Sequence, residues 1–149
     1  MPFFTLPVSA RGPIVEAAVL VSWARRDALE KVRRIVPSPQ HITALLDTGA
    51  SCSAVDQAVL DALGLTPTGE AEILTPSTGA TPQKAFTYDV QIGIFAGRPG
   101  DLHYISESIQ VTASDLFAGQ GIHALIGRDV FANCIFHYNG ANETFTFAY

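Results

Sequence analysis

Ala44-Leu45-Leu46-Asp47-Thr48-Gly49-Ala50-Ser51 runs an apolar strand into a tight turn of small residues, with a carboxylate at the junction. Gly49 is expected to supply an unusual backbone angle, and Ala50 leaves room beside the carboxylate. Taken alone the stretch has a plain reading, because Asp-Thr-Gly is good turn chemistry at the end of any strand. At ordinary residue usage, Asp-[Ser/Thr]-Gly-[Ala/Ser] arises by chance in about one chain of this length in a hundred. Its meaning depends on the rest of the chain.

Most of the surrounding periodicity is that of strands. In residues 84–95, Phe86, Tyr88, Val90, Ile92 and Ile94 alternate with Ala85, Thr87, Asp89, Gln91 and Gly93, which makes one face apolar throughout. Phe145, Phe147 and Tyr149 alternate with Thr144, Thr146 and Ala148 in the same way. Residues 3–8, 14–23, 41–46, 70–75, 102–111 and 134–138 are further strand candidates. Asn139-Gly140 can turn the chain between the last two strands, since both residues tolerate positive φ. One helix is predicted over 54–63: Ser53 is a candidate N-cap with Asp56 three residues on, and Val55, Val59 and Leu63 recur at one face. Gly64 can close it in a left-handed cap, with Leu65 folding back and Pro67 preventing continuation. A weaker helix covers 25–36 with Leu29, Val32 and Val36 as its stripe, and a short third one covers 128–133. The fold class is mainly β, in one domain over residues 1–149.

A second segment changes the meaning of the first. Ala124-Leu125-Ile126-Gly127-Arg128-Asp129-Val130 is an apolar strand running into a glycine and a helix start. Together the two segments resemble the retropepsin-like aspartic proteases, in the style of bacterial and DNA-damage-inducible cellular members rather than the compact retroviral enzymes. The resemblance covers roughly residues 41–149 and rests on the order of the motifs, their separation and the Gly-Arg-Asp helix start. It implies a closed single-lobed β-barrel whose apolar-apolar-Gly strand crosses the Asp-Thr-Gly strand in a ψ-shaped active-site loop. On that resemblance Asp47 is the catalytic carboxylate, and Thr48, Gly49, Ala50, Leu125, Ile126 and Gly127 support it. Residues 73–82 stand where the family's flap hairpin belongs, with Ser77, Thr78, Gly79 and Ala80 at the tip against substrate. An ordinary exposed hairpin is the bland reading of the same residues.

The chain also departs from the family pattern. Retroviral members often carry Asp where this chain has Ser51, so an ion pair from that Asp to the Gly-Arg arginine cannot form. Arg128, the structural arginine, needs another partner, and Asp56 is the expectation. The insertion over 25–37 has no clear retroviral counterpart; it holds five of the nine basic residues. A solvated face is its simpler reading, and a partner-binding surface is the alternative.

Peptide hydrolysis by carboxylates takes two of them sharing a proton. Only one Asp-Thr-Gly is present, because Asp89, Asp101, Asp115 and Asp129 all lack the following Thr/Ser-Gly. The second carboxylate is therefore expected from a symmetry mate, making an isologous homodimer that acts on an extended polypeptide. The C-terminal strand is either an interface element or core. The competing reading is a non-catalytic dimeric peptide-binding or assembly module on the same fold.

Composition narrows the remaining classes. The chain is 48% hydrophobic and 15% charged, which suits a folded globular protein. A net charge of −5 argues against general nucleic-acid affinity, and no apolar run approaches a membrane span. Residues 1–10 show no secretory pattern, so a cytoplasmic location is expected. Cys52 and Cys134 are expected as buried reduced thiols; with the four scattered histidines they offer no metal spacing, and no cofactor is implied.

Overall fold

The computed structural model describes residues 1–74, 79, 81–97, 102–115 and 118–149. In chain order the elements are β1 (Phe3–Pro7), β2 (Ile14–Val21), α1 (Trp23–Lys31), β3 (Gln40–Leu46), β4 (Ala54–Asp56), α2 (Gln57–Ala62), β5 (Gly69–Ile73) and β6 (Gln83–Phe95). They continue with β7 (Leu102–Ile105), β8 (Ile109–Ser114), a 3-10 turn (Ala118–Gln120), β9 (Ala124–Ile126), α3 (Arg128–Phe131), β10 (Ile135–Asn139) and β11 (Thr144–Ala148). The expected mainly β class holds.

Two sheets organise these strands. The larger runs β2-β3-β9-β4-β8-β6-β5, with β7 on β6, and β2 also pairs with β6, so the ladder returns to its first strand. Its inward alternation fills the core: Ile42, Ala44 and Leu46 from β3, Val90, Ile92 and Ile94 from β6, and Ala124 and Ile126 from β9 are all buried. A three-stranded sheet, β1-β11-β10, packs Phe4, Phe145 and Phe147 onto the same cluster. Phe145 and Phe147 are 0% exposed. These inward side chains of β11 are core of this chain, each stabilising by about 1.5–3 kcal/mol through burial. Among the described residues no helix is long and apolar enough to cross a membrane.

Several local expectations are corrected by tertiary demands. The helix expected over 54–63 begins only at Gln57, because residues 54–56 are taken as strand β4, pairing with β8 and β9. Asp56, not Ser53, is its N-cap, accepting from the Ala58 amide at 2.9 Å. Its predicted end is found: Gly64 has φ +62, and Gly64 and Leu65 donate back to Asp61 and Leu60. The 25–36 helix instead starts at Trp23, capped by Ser22, and stops at Lys31, leaving Val32 exposed and off the predicted stripe. The strand expected over 102–111 is two strands, parted where the Ser106 hydroxyl accepts from the Ile92 amide at 2.9 Å. The β10–β11 connection is longer than an Asn139-Gly140 turn. Its positive φ falls on Glu143, and the Asn139 side chain accepts from the Asn142 amide.

Candidate active site

Strand β9 is the centre of the site. It lies parallel to β3, with Leu45 opposite Leu125 and Leu46 opposite Ile126, and antiparallel to β4, with Ala54 opposite Leu125. The chain leaves β3, rounds the loop from Asp47 to Ser53 and returns as β4 on the other side of β9. Buried apolar residues at Leu46 and Ile126 pin this crossing, and the Asp47 amide extends the ladder by donating to the Ile126 carbonyl at 2.9 Å.

Within the loop, one Asp47 oxygen accepts from the Gly49 amide at 2.8 Å, and the Ala50 amide donates to the Asp47 carbonyl at 3.2 Å. Gly49 does not supply the unusual backbone angle expected of it, since its φ is not positive; a Cβ there would stand 3.0 Å from the Asp47 oxygen it serves and would press on it. The other Asp47 oxygen has no hydrogen-bond partner among the described residues, and the side chain is half-buried. A carboxylate held by one backbone N–H and open on its remaining oxygen can take or give a proton to a bound molecule. Thr48 and Gly49 are exposed at the same tip.

Gly127 makes the crossing possible. A Cβ on it would lie 2.7 Å from the Cys52 carbonyl carbon and 3.0 Å from the Ala50 oxygen, so only glycine lets the two backbones meet. It opens α3, whose first amide, that of Arg128, donates to the Ala50 carbonyl at 3.0 Å. The Arg128 side chain donates to the Thr48 carbonyl at 3.3 Å, which replaces the expected Asp56 partner; Asp56 is occupied as the α2 cap.

Strand β3, the loop and the β9–Gly127 crossing thus make a ψ-shaped frame around a single Asp-Thr-Gly. A family model described as aspartyl protease matches residues 38–130, which include all of that frame. The chain belongs to the aspartyl protease family. No curated protein matches it by sequence. Among solved structures it is similar to a retropepsin-like aspartic protease from Rickettsia conorii, with TM-score 0.55, 13% identity, and coverage of 99% of this chain and 91% of that one. It is also similar to the aspartic proteinase from Irpex lacteus, with TM-score 0.52 and 12% identity, covering 99% of this chain and 47% of that one. At such identities the likeness is one of fold, and it is the mainly β acid-protease fold that the resemblance implied.

Two residues that fasten this frame were not paired with each other by the sequence. Ser53, fully buried, donates its hydroxyl to one Asp129 oxygen at 2.7 Å and its amide to the other at 2.8 Å, while its hydroxyl oxygen accepts from the Gly127 amide at 3.0 Å. Asp129 also accepts from the Val130 amide at 2.9 Å. The available signal was a carboxylate in the first turn of a helix just after Gly127, where an anion suits the free amides. Of the hairpin tip, Ser77, Thr78 and Ala80 lie outside the described residues, and Gly79 sits exposed in a turn at φ +60.

Behind α3 lies a second polar pair. Burial pushes the Tyr104 phenol up to about 12, with the neighbouring Cys134 thiol adding to the shift. Burial also raises Cys134, opposed in part by its hydrogen bond with Tyr104, and its sulfur donates to the Val130 carbonyl at 3.4 Å. Cys134 and Cys52 are both free and half-buried rather than fully buried. No group of three metal-ligating side chains occurs among the described residues.

Proposed function

We propose that this member of the aspartyl protease family is an endopeptidase, a single domain per subunit, whose active site forms between two Asp47 carboxylates of a C2 homodimer. The observation that carries the reading is the Asp47 carboxylate itself, fixed through one oxygen by the Gly49 amide and open at the other, once per chain. Two such groups about 3 Å apart cannot easily both ionise, so the pair holds one proton. The ionised member takes a proton from the attacking water, and the protonated member donates to the carbonyl oxygen of the scissile bond. Proton return to the amine then releases the two product chains. Thr48 of each subunit is assigned to hold the paired loops across the two-fold axis, by resemblance to the retropepsins.

The substrate is an extended polypeptide lying between the Asp47 loop and the β5–β6 hairpin, added as a strand so that main-chain hydrogen bonds set its register. Incubating wild type and Asp47→Asn with a peptide library tests the reading. The variant is expected to fold, to sediment as a dimer and to cleave nothing. Metal-independent cleavage by Asp47→Asn, or a wild type that stays monomeric while active, sinks it.

A further inference from the structure

The segment from Trp23 to Val36 differs in charge from everything around it. It holds five of the nine basic side chains but only Asp27 and Glu30 of the fourteen acidic ones, so it carries +3, while the rest, with four basic and twelve acidic side chains, carries −8. Arg25, Arg26, Lys31, Arg33 and Arg34 are all exposed, and among the described residues only Arg26 has an ion pair, to Glu30 at 3.0 Å. Between them stand exposed apolar side chains: Trp23 at 50%, with the Arg26 guanidinium over its ring, Val32 at 65% and Ile35 at 93%.

Backbone strain is spent on one of these cations. Helices α1 and α2 end in the same motif, two amides bonding back past a left-handed residue. In α2 that residue is Gly64; in α1 it is Arg33, at φ +55. A side chain in this conformation costs about 1–2 kcal/mol relative to glycine, yet Arg33 makes no side-chain contact that repays the cost among the described residues. The chain that follows it, from Val36 to Pro39, lines a cleft of about 360 Å³ together with Leu20 and Arg26. Gln91 also lines it; this side chain is 3% exposed, gives its amide nitrogen to the Ser106 carbonyl, and has no partner for its oxygen among the described residues.

We propose that this face is a docking site for an extended acidic peptide segment carrying an apolar side chain. The apolar group enters the proline-walled cleft, a peptide amide donates to the Gln91 oxygen, and acidic residues meet Arg26, Arg33 and Arg34. An extended polyanion such as nucleic acid or an anionic membrane is disfavoured, because it also meets the −8 carried by the rest of the molecule. A short peptide segment touches the basic face alone.

The docking face is distinct from the Asp47 loop. Ile14 of β2 pairs with Leu45, two residues before Asp47, whereas α1 leaves the opposite end of β2 after Val21. At about 3.3 Å per residue the two sites stand roughly 20 Å apart. Resting on the proteolytic reading, the consequence is recruitment: an acidic stretch some residues away from the scissile bond tethers the substrate.

Trp23 is the single tryptophan, so its emission reports on this face directly, and the measurement needs no turnover. Asp47→Asn protein titrated with a peptide alternating glutamate and leucine is expected to show a blue-shifted, saturable change that fades as salt rises from about 0.05 to 0.5 M. A lysine–leucine counterpart is expected to give none. Arg33→Gly should melt higher than the parent yet bind about threefold more weakly, and Arg33→Glu with Arg34→Glu at least about tenfold more weakly. Unmoved emission, an equal response to the lysine peptide, or full affinity in Arg33→Gly overturns the proposal. So does a response to anionic vesicles or a single-stranded oligonucleotide in place of the acidic peptide. Because binding is read without cleavage, its failure leaves the proteolytic reading untouched, and the reverse holds as well.

Discussion

The Asp129 carboxylate holds Ser53 by both its hydroxyl and its amide, at 2.7 and 2.8 Å, across 76 positions of sequence. Ser53 ends the Asp47 loop and Asp129 begins α3, so this clasp ties together the two sides of the β9 crossing. With the Arg128 side chain on the Thr48 carbonyl, it fastens the Asp47 loop to α3.

Ser53→Ala strands the buried Gly127 amide and takes one of its two donors from an Asp129 oxygen, which keeps the Val130 amide, at a cost of about 1–3 kcal/mol. Asp129→Asn keeps one acceptor and should cost less than Asp129→Ala. Urea denaturation measures both. Peptidase assays should show a larger loss in kcat than in KM, because the clasp orients Asp47 rather than touching substrate. Equal stability of Ser53→Ala and wild type would remove the clasp from this account.

Gly127→Ala places a methyl 2.7 Å from backbone that has no flexible end to move. Overpacking of this kind costs about 1–3 kcal/mol, and the expectation is the upper end, with loss of activity. Gly64→Ala makes the contrast. Nothing lies within 4 Å of its Cβ, so any cost there comes from the positive φ alone and activity should survive. Thermal melts and peptide cleavage on both variants check this.

Tyr104 and Cys134 make the molecule sensitive to alkali in a defined direction. Both groups hold their protons more tightly when folded. The stability they contribute is therefore fully present below their ordinary values and is lost as pH rises through the raised ones. For Tyr104 that window runs from 10.0 to about 12. Ultraviolet titration of phenolate should show a late step from Tyr104, coincident with alkaline unfolding. Tyr104→Phe should abolish the late step, and persistence of that step would assign it elsewhere.

Phe147→Ala should destabilise by about 3–5 kcal/mol, since the ring is 0% exposed and stacks on Phe4. Phe86→Ala, at a side chain 52% exposed, should cost about 1 kcal/mol or less. Both phenylalanines stand on the apolar side of a clean alternation, and chemical denaturation distinguishes them.

That pair marks how far alternation alone reaches. Period-two patterning located β6 and β11 nearly to the residue, but it could not tell a face turned to the core from one left on a hairpin arm. Local chemistry was legible where it was local: the Gly64 cap, the strand into Asp47, and the small residues after it. The Asp47 and Leu125-Ile126-Gly127 segments were legible as a pair, and the family match covers both. What the sequence by itself determined is therefore the strand content, the family and the carboxylate on which the function reading turns. Tertiary structure alone decided that residues 54–56 become a strand, that Ser53 serves Asp129 rather than a helix, and that Arg128 turns to the Thr48 carbonyl. The reason is physical. Residues 54–56 and Ser53 find their partners far along the chain, in β8, β9 and α3, and those hydrogen bonds outweigh a local helix preference that is worth only tenths of a kcal/mol per residue, about 0.7 at most.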